Sequence, residues 1–322
     1  MMRPLFTRSA HNPILSPSGN WWEAKGVLNP GAALYEDQTV LVYRAVGADG
    51  ISRLGIAWSA DGETIDRRGA NPFYEAAPND LEARLGVEDP RITLLEGIYL
   101  LTYTKVSVEP ASQPALGWEP APFRLRCAVG VTTSFQELQP SGVILPHTNT
   151  KDAVLFPRLF DGRYTALIRE YPDVQLTTSR DLQRWSTPVP VLAPIPDSWQ
   201  AERVGAGPPP IETPWGWLLL YHANEYLHSA GNRRFYRMGL AVLDRSNPSR
   251  VIYRHPDPVF SPETSYEKSG PVGNVVFATG LIEQGGRLYL YYGAGDGVIG
   301  LATAEREDVH AFLRDAMGEA SP

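Results

Sequence analysis

Five times along this chain an apolar strand runs into a tight turn, then into a second strand rich in aromatic and aliphatic residues, then into a third that ends in a polar turn. The second strands read Thr39-Val-Leu-Val-Tyr-Arg44, Ile98-Tyr-Leu-Leu-Thr-Tyr103, Arg163-Tyr-Thr-Ala-Leu-Ile-Arg169, Gly216-Trp-Leu-Leu-Leu-Tyr-His222 and Arg287-Leu-Tyr-Leu-Tyr-Tyr292, about 55 to 70 residues apart. Third strands follow as Leu54 to Trp58, Ala128 to Thr132, Val174 to Thr178, Met238 to Val242 and Val298 to Ala302. A small sheet of this kind cannot cover its own apolar faces; arranged around a ring, each sheet covers its neighbour. The expected fold is therefore all-β, a five-bladed β-propeller. A β-sandwich would also need many short strands, but it gives no reason for parallel internal phrases. The 29 Gly and 29 Pro suit many turns and little helix. Residues 1–322 are expected to form one domain, the first 25 residues adding an outer strand that closes the ring and Thr303 to Ala316 forming a helix outside it.

Charge and motifs exclude several classes of function. The net charge is −7 with Lys and Arg scattered, which leaves no footprint for nucleic acid. Apolar runs such as Trp217 to Tyr221 fall far short of the roughly 20 residues of a membrane helix. One cysteine, Cys127, allows no internal disulfide, and the opening residues lack the apolar stretch of a secretion signal, so a cytoplasmic location is expected. The six His lack metal-ligand spacing, and Gly205-Ala-Gly207 runs into three prolines instead of a helix, so neither a metal nor a dinucleotide cofactor is expected. Oligomeric state stays open, with a homo-oligomer among the options.

The repeat also locates a site. A hairpin brings the start of its first strand beside the end of its second, so these points of every unit share one face of the disc. First-strand starts carry Asn29, Asp89, Asp152, Gly205 to Gly207 and Asn274; second-strand ends carry Arg44, Lys105, Arg169, His222 and, just beyond Tyr292, Asp296. Each has an ordinary structural reading, Asp89 as a strand-start cap, Asn29 and Asp296 as turn residues, His222 as a satisfied core imidazole; their convergence favours a ligand funnel. Within Glu88-Asp-Pro-Arg91, the residue before Pro is expected to be extended, which would project Asp89 and Arg91 together and turn Glu88 away. Asp89 is thereby singled out as a proton donor.

The phrases Asn29-Pro-Gly31, Tyr43-Arg-Ala45, Gly86-Val-Glu-Asp-Pro-Arg91, Lys151-Asp-Ala-Val-Leu-Phe-Pro157, Gly205-Ala-Gly-Pro-Pro-Pro-Ile211, Leu220-Tyr-His222, Asn274-Val-Val-Phe277 and Tyr291-Tyr-Gly-Ala-Gly-Asp296 resemble, together, those of glycoside hydrolase family 130. The resemblance implies a five-bladed propeller acting on β-mannosides, mostly as an inverting phosphorylase that yields α-mannose 1-phosphate, with some hydrolases among its members. It implies that Asp89 gives the proton, reaching the glycosidic oxygen through a mannose hydroxyl, and that Asn29, Arg44 and Asp296 grip the non-reducing mannose. Arg91 and Lys105 complete the expected sugar contacts. Lys151, Arg169, Arg203 and His222 are the expected phosphate set; Arg203 stands where relatives often have Lys, and Ala223-Asn-Glu225 where Gly often follows Tyr-His.

The chemistry agrees. An inverting hydrolase needs a second carboxylate to activate water, roughly 6.5 to 9.5 Å from the acid, whereas phosphate is already a nucleophile and needs only to be neutralised and aimed. Four cationic or imidazole groups hold funnel positions, while Asp152, Glu225 and Asp296 are the carboxylates available to serve as a base. Phosphorolysis of a short β-mannoside, with inorganic phosphate as co-substrate and no cofactor, is the leading expectation. An inverting β-mannosidase and a non-catalytic carbohydrate-binding propeller are the alternatives. Linkage and acceptor are assigned to loops such as the Pro-rich stretch from Val108 to Phe123.

Overall fold

The computed structural model describes residues 4–108, 123–227 and 233–318. The heart of the Pro-rich stretch to which the acceptor side was assigned, 109–122, lies outside the described residues. Five antiparallel sheets form the five blades of a β-propeller. Blade 1 comprises Gly26–Tyr35, Gln38–Val46, Ser52–Ser59 and Arg67–Arg68, and blade 2 comprises Val87–Leu95, Ile98–Val108, Phe123–Thr132 and Gln139–Val143. Blade 3 holds Lys151–Leu155, Tyr164–Glu170, Asp173–Ser179 and Val189–Leu192; blade 4 holds Arg203–Ala206, Ile211–Thr213, Gly216–Leu227, Arg233–Leu243 and Val251–Arg254. Blade 5 holds Val276–Gln284, Arg287–Ala294 and Val298–Glu305, and its fourth strand is Thr7–Arg8 from the other end of the chain. Thr7 pairs with Thr303 and Arg8 with Ala302, so the expected closure by the first 25 residues is present. The closing helix is shorter than the sequence suggested: the third strand of blade 5 continues to Glu305 and the helix spans Arg306–Met317.

Burial on both faces explains why the second strands read as unbroken apolar runs. Along the second strand of blade 1, Val40 and Val42 pack toward blade 2 with Ile92 and Leu101, while Leu41 turns to blade 5 and packs with Tyr291 and Leu301. In blade 4, Leu219 and Tyr221 meet Val154 and Leu167 of blade 3, while Leu218 and Leu240 meet Leu288 and Leu290 of blade 5. The period of two thus serves two cores at once. Tyr43 stands opposite Gly55, Tyr221 opposite Gly239 and Tyr292 opposite Gly300, which accounts for the recurring aromatic and glycine positions of the repeat.

One local device recurs where the first strands begin. Pairing slips by one residue between Leu28 and Gly31, between Glu88 and Arg91, and between Lys151 and Val154. Each bulge contains one residue in the left-handed region, Asn29 at φ 48°, Asp89 at φ 54° and Asp152 at φ 55°. Asn and Asp tolerate that region better than most side chains, and a bulge re-aims the side chain it carries.

Candidate active site

A cavity of about 200 Å³ opens at the face where these bulges lie, lined by residues of all five blades. Two larger clefts, about 420 Å³ and about 680 Å³, sit between blades 1 and 2 and beside the C-terminal helix, and each draws on fewer blades. Asn29, Arg44, Asp89, Lys151, Arg169, Arg203 and Asp296 all line the smaller one.

Asp89 is 3% exposed and its carboxylate sits among donors from the two flanking blades. Asn29 Nδ2 donates to its Oδ1 at 2.7 Å, while Arg44 Nη1 and Lys151 Nζ each lie 3.6 Å from its carboxylate. The same two cations bind Glu88 more closely, Arg44 Nη2 at 2.7 Å and Lys151 Nζ at 2.5 Å. Glu88 therefore does not turn away, contrary to the alternation expected of a regular strand. The bulge puts Asp89 at positive φ, where an extended conformation was expected, and breaks the alternation so that both carboxylates reach the same cations.

Three other expected site residues occupy different positions. Arg91 is 1% exposed and lies beneath the cavity, where its guanidinium donates to Asp89 O at 2.9 Å, Ala206 O at 3.0 Å, Gly207 O at 3.2 Å and Asp152 Oδ1 at 3.2 Å. Those acceptors use its donors for bracing, so it is not a sugar contact. Lys105 does not line the cavity either; its ammonium is 2.8 Å from Asp80, which lines the cleft between blades 1 and 2. His222 is fully buried against the Phe277 ring, centroids 4.1 Å apart, with Nε2 3.2 Å from Asp152 Oδ2. It stands behind the cavity wall.

The cavity also gathers Arg234, Tyr236 and Phe277, none of which was singled out from sequence. Arg234 and Tyr236 lie near the start of a third strand, which emerges beside the end of the second; carrying the hairpin rule one strand further would have found them. Tyr236 hydroxyl accepts from Arg203, and Arg234 is paired with Glu202 at 3.0 Å.

Electrostatics set the protonation of each acid. Burial works to raise the Asp89 pKa, but Lys151, Arg44 and Arg91 outweigh it and hold the carboxyl below its ordinary range. Asp152 is driven well below that range: burial again opposes, and Arg169 and His222 prevail. Asp296 goes the other way, pushed up to about 6 by burial and by Asp89 and Glu88, despite Arg44 and Lys151. His222 is pushed down from 6.5 to about 4, chiefly by burial, so its ring is neutral near pH 7. Five cations, Arg44, Arg91, Lys151, Arg169 and Arg203, thus face the carboxylates Glu88, Asp89 and Asp152, with Asp296 charged only above about pH 6. The site carries excess positive charge.

Two of these shifts oppose each other in stability. Between about pH 6.5 and 4 the unfolded chain protonates His222 and the folded one does not, so this group's contribution to stability is lost as pH falls. Between about pH 6 and 4 the folded chain protonates Asp296 and the unfolded one does not, so that contribution grows as pH falls. In the native protein the two act in opposite directions. Asp296→Asn is therefore expected to make the melting temperature fall on acidification from pH 6 to 4, and His222→Gln to make it rise relative to the native profile. Melting curves across that window check both signs, and parallel profiles for all three proteins would contradict the assignment.

Comparison with known proteins accords with this geometry. The sequence model of glycoside hydrolase family 130, described as beta-1,4-mannooligosaccharide phosphorylase, matches residues 22–315. A 1,2-beta-oligomannan phosphorylase of Thermoanaerobacter sp. (strain X514) is 37% identical over 311 residues, spanning 94% of this chain and 98% of the relative. A beta-1,2-mannobiose phosphorylase of the same organism is 33% identical over 318 residues, with 94% and 98% covered. Among solved structures, the beta-1,2-mannobiose phosphorylase of Listeria innocua, in complex with beta-1,2-mannobiose, superposes with a TM-score of 0.82 at 25% identity, over 98% of this chain and 99% of that one. Similarity that runs through all five blades, and through the bulged strands that build the cavity, shows that the chain belongs to glycoside hydrolase family 130.

Proposed function

We propose that the protein is an inverting phosphorylase of β-1,2-linked mannooligosaccharides, releasing α-mannose 1-phosphate and a shortened sugar. The observation that carries this reading is the excess of cations, Lys151, Arg169 and Arg203, lining the same small cavity as the buried acid Asp89. Phosphate needs such a setting, since it must be desolvated, neutralised and aimed at the anomeric carbon. The names of two relatives, a β-1,2-mannobiose phosphorylase and a 1,2-β-oligomannan phosphorylase, favour the β-1,2 linkage over the β-1,4 linkage in the family model's description. In the reaction a phosphate oxygen bonds to the anomeric carbon from one side as the glycosidic bond breaks on the other, and the leaving oxygen takes a proton that originates on Asp89.

Asp89 must hold a proton for that step, yet Lys151, Arg44 and Arg91 by themselves keep its carboxyl ionised. Phosphate resolves the conflict. A dianion on Lys151 and Arg169 offsets the positive charge that depresses the Asp89 pKa and adds a negative neighbour that raises it. The acid is thus charged with its proton once the nucleophile is in place.

Hydrolysis is the second reading, favoured by one feature: Asp296 lines the cavity with a pKa near 6, suited to a general base for water. The other two carboxylates expected to be available are occupied, Asp152 by Arg91 and Arg169, and Glu225 by Arg237. Incubation with β-1,2-mannobiose, with and without phosphate, separates the readings. Phosphate-dependent formation of mannose 1-phosphate, seen by ³¹P NMR, is expected; free mannose released at the same rate in both reactions would establish the hydrolase instead.

A further inference from the structure

We propose that Asp152 is a positioning residue for the phosphate: braced from behind by the buried His222 ring, it aims Arg169 into the cavity, so that this guanidinium meets the anion in one geometry. The proposal rests on the phosphorylase reading and extends it to a carboxylate that takes no part in the chemistry. Asp152 is 1% exposed and held at positive φ by the bulge of blade 3. Its Oδ2 lies 2.7 Å from Arg169 Nη1 and 3.2 Å from His222 Nε2, and its Oδ1 lies 3.2 Å from Arg91 Nη2. One carboxylate thereby ties together blades 2, 3 and 4 in the wall of the cavity that it and Arg169 both line. A carboxylate oxygen at Nε2 favours the tautomer with its proton there, leaving Nδ1 as the acceptor.

Blade 4 is shaped to allow this contact. A Cβ added to Gly205 would stand 2.3 Å from His222 Nε2 and 2.6 Å from Asp152 Oδ2, closer than any side chain tolerates. Gly205 pairs with His222 as Lys151 pairs with Arg169 in blade 3, and its missing side chain therefore leaves room for the imidazole and carboxylate to meet. That gives the Gly-Ala-Gly phrase a physical purpose that phosphate binding by the backbone does not require.

A negative charge beside an anion site ordinarily weakens anion binding, and this gives the test its sign. Asp152→Asn keeps the volume and one acceptor oxygen while removing the charge. If Asp152 acted only through charge, phosphate would bind more tightly to the variant. If it positions Arg169, phosphate binds more weakly although the site has become more positive. The expected result is a rise of roughly tenfold or more in the KM for phosphate, with the KM for mannobiose changed less than about twofold. Gly205→Ala, which leaves every charge in place but displaces the same pair, should show the same selectivity.

Calorimetric titration of inorganic phosphate into each protein without sugar gives a second readout, independent of turnover. Weaker phosphate binding by both variants supports the proposal. Unchanged or tighter binding by Asp152→Asn overturns it, as does an equal loss toward phosphate and mannobiose. If Asp152→Asn does not fold, Gly205→Ala and phosphate titration decide alone by the same criteria. Absence of phosphate-dependent turnover in the native protein would instead defeat the phosphorylase reading, and the two failures are therefore distinguishable.

Discussion

Asp89→Asn is expected to lower the rate of mannose 1-phosphate formation by roughly 10²- to 10⁴-fold, the usual contribution of a general acid, while the melting temperature stays within a few degrees of the native value. The fold should survive because Arg44 and Lys151 keep Glu88, at 2.7 Å and 2.5 Å, when the neighbouring charge is removed. The loss should fall on kcat more than on the mannobiose KM, since the proton is needed only as the glycosidic bond breaks. Asp296→Asn makes the contrast: if Asp296 grips the mannose, its loss should appear mainly in KM. ³¹P NMR progress curves on both variants decide the matter, and an Asp89→Asn protein with more than a tenth of native kcat would remove Asp89 from the mechanism.

The largest expected effect on stability belongs to Arg91. Arg91→Met leaves three buried carbonyls, those of Asp89, Ala206 and Gly207, without their donor and takes one partner from the Asp152 carboxylate. Removing one side of a buried ionic pair typically costs about 3–5 kcal/mol, which for a chain of this size is a fall of roughly 5–10 °C in melting temperature. Arg91→Lys should recover less than half of it, because a single ammonium cannot reach acceptors on three blades as a planar guanidinium does. Thermal and urea denaturation check this, and a shift under 2 °C for Arg91→Met would show that the brace is dispensable.

The ring was legible in the sequence because its cause is local and repeated. Each second strand is buried on both faces, so the apolar run survives at all five positions, and the turns between strands carry recognisable residues. The site was legible to the extent that the hairpin rule applies: it found Asn29, Arg44, Asp89, Asp152, Arg169 and Asp296, the family resemblance added Lys151 and Arg203, and all of these line the cavity. What escaped depends on pairing between strands. A one-residue bulge leaves no mark on composition, since Asp and Asn occupy regular strands as well as left-handed positions; hence Glu88 was turned the wrong way. Lys105 sits at the expected height on its strand, but whether a long flexible side chain ends in the funnel or on Asp80 is decided by a residue 25 positions away. Arg91 shows the same limit, because its acceptors come from blades that only the closed ring brings near.

That closure has a consequence during synthesis. The final sheet is stitched from both extremities, Thr7–Arg8 beside Val298–Glu305, so a nascent polypeptide leaving the ribosome holds four finished sectors and an open seam. Until the last sector emerges, Ala32 and Leu41 have no Tyr291 or Leu301 to rest against, and an oily flank stays wet. Premature termination anywhere before residue 298 should therefore yield an aggregation-prone fragment instead of a smaller working disc.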